Sequence, residues 1–370
     1  MSTPTTSMPR AGRLPGLRWF AGTAALLMAL AACSGKSSPT ANKKGGGASP
    51  TSSPAPPPVC PLTGVAPSGG SVPNRPVLGV KVENAPEARP QTGLNTADIV
   101  YEQPVEGGIT RFLAIYQCSD AARIEPVRSS RLQDIDLLQQ FPKPLFGNAG
   151  GSPPTEAAIT NAVKAGILVN IDYSGAGYSR DAARNNDVHS LYTSTSALYG
   201  RSDAKGAGGV PTPIFTFSAT PTAGAPGGAV HVNFSQYSNV TWKYVASSGV
   251  YQRFYNGTQP ANESDGSLIS TTNIVIQMVP VTMSSFIEDP SGSHQPVPTL
   301  TGTGPAVVCR QGTCVSGVWS RSALTSPTAF NDATGQPIQL APGQTWVELA
   351  PSSATGPTAI PVAQVTETAS

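Results

Sequence analysis

Asp98 to Gln117 reads DIVYEQPVEGGITRFLAIYQ. Two alternating, strand-like runs flank the pair Gly107–Gly108, a strong short-range signal for a β-hairpin. With a tight two-residue turn, Glu106 pairs with Ile109, Pro104 with Arg111, and Glu102 with Leu113. Asp98, Glu102 and Glu106 share one parity on the first strand, so they are expected on one face. Arg111 joins that acidic face, diagonal to Glu102 and Glu106. Ile99, Tyr101, Val105, Phe112 and Ala114 make up the opposite face, which is expected to meet the core.

Upstream of the hairpin, PVLGVKVEN (76–84) reads as a short buried strand, followed by the turn-rich loop APEARPQTGLN (85–95). Downstream, Ser129–Ser130 is expected to cap a helix running to Phe141, with Leu132, Ile135 and Leu138 at helical spacing and Pro142 and Pro144 beyond it. Leu145–Asn148 reads as a brief strand. A Gly-rich turn follows, in which Ser152 caps a second helix and Pro153 occupies its first position. ILVNIDY (167–173) supplies a further strand. Residues 172–213 form a long polar loop carrying Arg180, Asp181, Arg184, Asp187 and His189, with a short helix near Ser194–Tyr199. From about Pro213 onward the chain consists of successive strand-like runs separated by turns. The expected class is therefore α+β: a mixed α/β domain over 60–212, a β-rich domain over 213–353 and a frayed tail over 354–370.

The chain has 370 residues, of which 12% are charged, and a net charge of +2, so it carries no nucleic-acid footprint. Residues 1–33 read as an export signal. Arg10, Arg13 and Arg18 precede an apolar run, Trp19–Ala32, that is short for a membrane span. The run ends in Leu30-Ala31-Ala32-Cys33, which has the form of a lipoprotein processing site with Cys33 as the acyl acceptor. Residues 34–59, rich in Ser, Pro and Gly, form a flexible linker. The protein is thus expected at the extracytoplasmic face of the cell membrane, held by a lipid anchor. The other four cysteines suit disulfides in an exported chain. Cys309 and Cys314 flank a Gly-containing turn, and Cys60–Cys118 follows by elimination. Zinc is the competing reading, although a second pair at ligand spacing and a nearby histidine are both missing.

Nucleotide, nucleophile-elbow and metalloprotease motifs are absent, and no cofactor or metal is expected. Ser202 to Lys205 has an S-x-x-K form without its partner motifs. His231 and His294 have no evident partners. Between Val82 and Pro142 stand five arginines and no lysine, together with nine acids. A guanidinium fork suits carboxylates and phosphates. Internal pairing is one use for these arginines; the other is that Arg128 and Arg131, at the entry to a helix, face an anionic ligand. Gly150, Gly151 and Ser152 form a second anion-site candidate, weakened by the two prolines that remove N–H donors. Glu102 and Glu106 stand about 13 Å apart along one strand, too far for a carboxylate pair that works at roughly 5–10 Å.

Several stretches together resemble the YerB-like family of bacterial lipoproteins, whose central domain has no known function. They are CPLTG (60–64), the long run from Asn74 to Tyr116, EPVRSSR (125–131), NAGGSP (148–153), HSLYTST (189–195), GVWSRSALTSPTAFND (317–332) and LAPGQTWVEL (340–349). The resemblance implies a lipid-anchored envelope protein with a two-part fold and brings no catalytic residues. The segment NGTQPANESDG (256–266) departs from the family by lacking a His-x-Asp. The leading expectation is a non-enzymatic protein that binds a polar or anionic cell-wall ligand or an envelope protein. Its site would comprise Asp98, Glu102, Glu106, Arg111, Arg128, Arg131, Gly150, Gly151, Ser152 and His189. The alternative is a cell-wall hydrolase or transferase using Glu102 or Glu106 with His189 as acid and base. A third reading makes the β-rich half an interaction surface.

Overall fold

Apolar side chains lie on both faces of the organising hairpin, and both faces are covered. A computed structural model describes residues 57–185, 187–355 and 362–369. The expected export signal, Cys33 and the expected linker up to residue 56 lie outside them. The described residues form one compact unit.

The first half contributes β1 (Leu78–Glu83), β2 (Ile99–Pro104), β3 (Thr110–Tyr116), α1 (Leu132–Leu138), β4 (Leu145–Gly147), α2 (Pro153–Lys164) and β5 (Val169–Asn170). The long polar loop contains the small pair β6 (Ser179–Arg180) and β7 (Leu191–Tyr192), then α3 (Thr195–Tyr199). The second half is all strand: β8 (Ala225–Pro226), β9 (Ala229–Ser235), β10 (Ser238–Val245), β11 (Val250–Tyr255), β12 (Gln259–Pro260), β13 (Ser270–Thr271) and β14 (Asn273–Ile287). It continues with β15 (His294–Pro298), β16 (Gly302–Arg310), β17 (Thr313–Arg321), β18 (Ala329–Asn331), β19 (Thr345–Thr355) and β20 (Gln364–Thr368).

One long mixed sheet runs β18-β17-β16-β14-β19-β2-β3-β1-β4-β5, with β15 beside β14 and β8 beside β17. It draws strands from both halves of the chain, and the join is the parallel pairing of β19 with β2. A second sheet, β12-β11-β10-β9-β20 with β13 beside β11, covers one face. Phe112, Ala114, Trp242, Tyr251 and Trp346 pack between the two sheets. The helices α1 and α2 cover the other face, where Ile99, Tyr101, Leu113, Ile135, Leu138 and Ile159 meet. The structure is thus α+β with strands dominating.

The hairpin forms, but one residue out of the expected register. Glu106–Gly108 make a short 3-10 turn with both glycines at positive φ, +72° and +73°. This loop is longer than a two-residue turn, so Gln103 and not Pro104 lies opposite Arg111, and Phe112 lies opposite Glu102. Because side chains alternate, a slip of one residue changes faces. Phe112 and Ala114 therefore join Val100 against the second sheet, while Ile99 and Tyr101 face the helices.

Two element ends also differ from expectation. Helix α1 is capped by Arg131, not Ser129–Ser130, because Asp134 reaches back to accept the Arg131 backbone N–H at 2.7 Å. The tail expected to fray adds β20, which pairs with β9. Helix α2 starts as read, with Ser152 at its cap and Pro153 at its first position. Both expected disulfides, Cys60–Cys118 and Cys309–Cys314, are present.

Candidate functional site

Strands β1, β2 and β4 point the same way, and their carboxyl ends gather most of the expected site residues. In mixed α/β sheets this is where crevices and ligands are found. Glu83 ends β1 and lies opposite Arg111 at the start of β3. The segment Arg128–Ser130 is laced between β1 and the β4 loop: the Arg128 N–H donates to Lys81 O, Ala149 N–H to Arg128 O, and Ser130 N–H to Gly150 O.

Three ion-pair clusters hold these loops. Arg111 Nε donates to Glu83 Oε1 at 3.1 Å and Arg128 Nε to Glu83 Oε2 at 2.5 Å. Burial pushes the Glu83 carboxyl upward, yet Arg111 and Arg128 together hold it below the usual carboxylate range. In the second cluster Arg131 grips Glu106 through Nε at 2.8 Å and Nη2 at 2.6 Å, while its Nη1 lies 3.2 Å from Glu288. In the third, fully buried Lys81 meets Asp134 at 2.7 Å and Gln103 at 2.9 Å. Burial lowers the Lys81 pKa to about 8 even with Asp134 beside it.

These contacts correct the expected pairing. Arg111 binds Glu83, and neither Glu102 nor Glu106. Arg131 is enclosed by two carboxylates. Arg128 shares Glu83 but remains the outermost of the set, with its side chain 25% exposed. The start of α2, expected as an anion site, already holds the carboxylate of Glu288. That group accepts from Ser152 Oγ at 2.9 Å and Thr155 Oγ1 at 3.1 Å. Taken together, Lys81, Arg111, Arg128 and Arg131 face Glu83, Glu106, Asp134 and Glu288, so four cations meet four carboxylates.

Glu102 points into the space between the sheets. It accepts from Thr110 Oγ1 at 2.5 Å and lies 2.8 Å from Arg253 of β11. Glu348 of β19 sits opposite it in register and accepts from Trp242 Nε1 at 2.8 Å. Burial first, then the neighbouring Glu102, raises the Glu348 pKa well above the carboxylate range. The Arg253 guanidinium thus lies between two fully buried carboxyls, 2.8 Å from Glu102 and 3.6 Å from Glu348.

His189 lies on the polar loop, and its backbone N–H donates to Asp187 Oδ1 at 2.7 Å. Its Nδ1 has no partner among the described residues, and it makes no side-chain bond to Glu102 or Glu106. The acid–base pair expected of a hydrolase does not assemble here, because both glutamates are buried and bound to arginines. Arg128 Nη1 donates to Val188 O at 3.4 Å, which ties the loop to the cluster. Asp98 is apart from this group, at the amino end of β2. His231 and His294 do have partners, Thr241 Oγ1 at 2.9 Å and Ser284 O at 2.7 Å. Among the described residues no cluster of three or more His, Cys, Asp or Glu could hold a metal.

Sequence reading missed Glu288, Arg253, Glu348 and Lys81 as members of these clusters. The available signal was a charge set among apolar strand residues, as in GVKV, YQRFY and WVELA. Such a charge requires a buried partner.

The pattern described as "Protein of unknown function (DUF3048) N-terminal domain" matches residues 62–208, and its C-terminal counterpart matches 230–347. The chain belongs to the DUF3048 family. The two DUF3048 segments contain all three ion-pair clusters, and Glu288 and Arg253 come from the C-terminal one. A relative is YerB of Bacillus subtilis (strain 168), named as a candidate lipoprotein. It is 28% identical over 296 residues, covering 79% of this chain and 86% of YerB. The crystal structure of the Bacillus subtilis YerB protein superposes with a TM-score of 0.67 at 24% identity, covering 84% of this chain and 99% of that one, and so shares its fold. Among the described residues no helix is long and apolar enough to cross a membrane.

Proposed function

We propose that this DUF3048 protein is a non-enzymatic recognition module, held by a lipid anchor on Cys33 at the extracytoplasmic membrane face, that binds a protein partner of the envelope. Its contact surface is the carboxyl end of the long sheet. The observation that carries this reading is the convergence of five loops there, locked by ion pairs whose charges balance locally. Such balance gives little pull on a small anion, and it removes the carboxylates from acid–base work. It leaves a stiff surface with Arg128 outermost. The same end exposes Val188, and Tyr237 packs beside Gly108 with much of its ring in solvent. Tyrosine and arginine on a rigid frame are the usual anchors of protein interfaces.

The test is site-specific photo-crosslinking in cells. A photoreactive residue at 188 or 237 is expected to trap one discrete envelope protein, and Arg128→Glu to abolish the adduct. Equal labelling from a distant position such as Val210, or turnover of muropeptides by the purified protein, would contradict the reading.

A further inference from the structure

At the opposite end of the sheet, beside the Cys60–Cys118 disulfide, lies a cavity of about 220 Å³. Asp98, Thr63, Ser119 and Gln344 line it. The Asp98 carboxylate is 3% exposed and accepts the backbone N–H groups of Gln117 at 2.5 Å and Cys118 at 2.9 Å. No cation pairs with it among the described residues. Arg75, which binds the carbonyls of Gln117 and Ser119, gives its charge to Asp120 at 2.8 Å.

The other lining groups lack a cation as well. Gln344 Nε2 donates to both Leu94 O and Ala97 O at 2.7 Å, which fixes its amide so that Oε1 is an acceptor. That Oε1 and the Thr63 hydroxyl have no hydrogen-bond partner among the described residues, and the Ser119 hydroxyl lies beside the Asp98 carboxylate. The buried Asp98 carboxylate and the polar side chains of Thr63, Ser119 and Gln344 thus line one open cavity, with room for more than a single water. Leaving buried acceptors unmet is costly, and the cost is greatest for an ion. Burial raises the Asp98 pKa against the opposing hydrogen bonds from Cys118, Ser119 and Gln117, and no cation adds to them.

We propose that this cavity binds a primary ammonium group. An ammonium brings three donors and one positive charge, which answers the oxygens of Asp98, Gln344, Thr63 and Ser119. One carboxylate balances a monovalent ammonium, whereas a calcium site gathers six to eight oxygens and usually more than one acid. The disulfide and Ala97 supply an apolar wall for the carbon next to the nitrogen. Lysine side chains, peptide amino termini and amino sugars share this chemistry. The site is separate from the Arg128 surface and does not depend on it.

The experiment is isothermal titration of the full chain at pH 7 with ethylammonium chloride, and separately with ethanol, potassium chloride and calcium chloride. Saturable millimolar binding of ethylammonium alone is expected. Asp98→Asn should weaken it by about tenfold, the loss of one charge-assisted contact. Because Asp98 also holds the Gln117–Cys118 turn, Thr63→Val is the second variant, expected to weaken binding a few-fold with the unfolding midpoint unchanged. Lysine amide and glucosamine then distinguish the source of the amine, since each must compete with ethylammonium at this one site if the proposal holds. Absence of saturable binding, which leaves a site for water only, would overturn it. So would equal affinity in both variants, or tighter binding of calcium.

Discussion

Arg131 and Arg128 come from the same short segment, yet the fold treats them differently. Arg131 lies between Glu106 and Glu288, both nearly inaccessible. Replacing it with alanine strands two buried carboxylates, so Arg131→Ala should cost about 3–5 kcal/mol. Arg128→Ala removes a partly exposed member of a shared pair and should cost about 1 kcal/mol or less. Urea denaturation of the two variants checks the contrast, and equal losses would place Arg128 inside the framework. Glu348 gives a second prediction. Its folded-state pKa is raised above the ordinary 4.5. The folded state therefore holds the extra proton, and that stability is present below pH 4.5 and is lost as pH rises through the folded pKa. Glu348→Gln should flatten this decline, measured as the unfolding midpoint from pH 5 to pH 9. A parallel decline in the variant would assign the effect to another group. None of these partnerships could be read from local sequence, because Glu102 and Arg253 are 151 residues apart. What was legible was that arginines and acids crowd one window, and internal pairing was one of the two uses foreseen for them.

The hairpin shows how far a local signal reaches. Gly107–Gly108 announced the turn correctly, because both positions have positive φ, which glycine alone adopts freely. The register was not legible, since a two-residue turn and a short 3-10 turn use the same glycines. An alanine Cβ at Gly107 meets no atom within 4 Å, whereas at Gly108 it would press on Tyr237 and Ser235 at 3.2 and 3.3 Å. Gly107→Ala should therefore cost about 1 kcal/mol from backbone strain alone. Gly108→Ala should cost more and also displace Tyr237 from the proposed contact surface. Thermal unfolding together with crosslinking from position 237 separates the two. If Gly108→Ala were the milder, the turn would differ from the one described. Helix α2 was legible down to its cap, because Ser-Pro-Pro fixes a start by backbone chemistry. What was not legible was that Glu288, from a strand end far along the chain, fills the anion-binding position at that start.

Composition suggested a mixed first half and a β-rich second half, and the strands do fall that way. Sequence could not show that both halves share one sheet, because parallel pairing of β2 with β19 links residues on either side of the whole second half. Separated at 212, the first fragment would expose the β2 edge and lose Arg253 as the partner of Glu102 and Glu288 as a partner of Arg131. We expect residues 57–212 alone to be unfolded by circular dichroism, and residues 57–370 to unfold in one transition. An independently folded first fragment would show that the shared sheet is not what unites the halves. The central claim is that the arginines at the carboxyl end of the sheet are committed to the protein's own acids. Its most direct measurement is NMR of the arginine side-chain Nε–H groups while inorganic phosphate is titrated in. The Arg111 and Arg131 signals should be protected from exchange and unmoved by phosphate, with at most a weak, unsaturable drift at Arg128. A saturable shift at Arg111 or Arg131 would mean that an anion reaches them, and would contradict the claim.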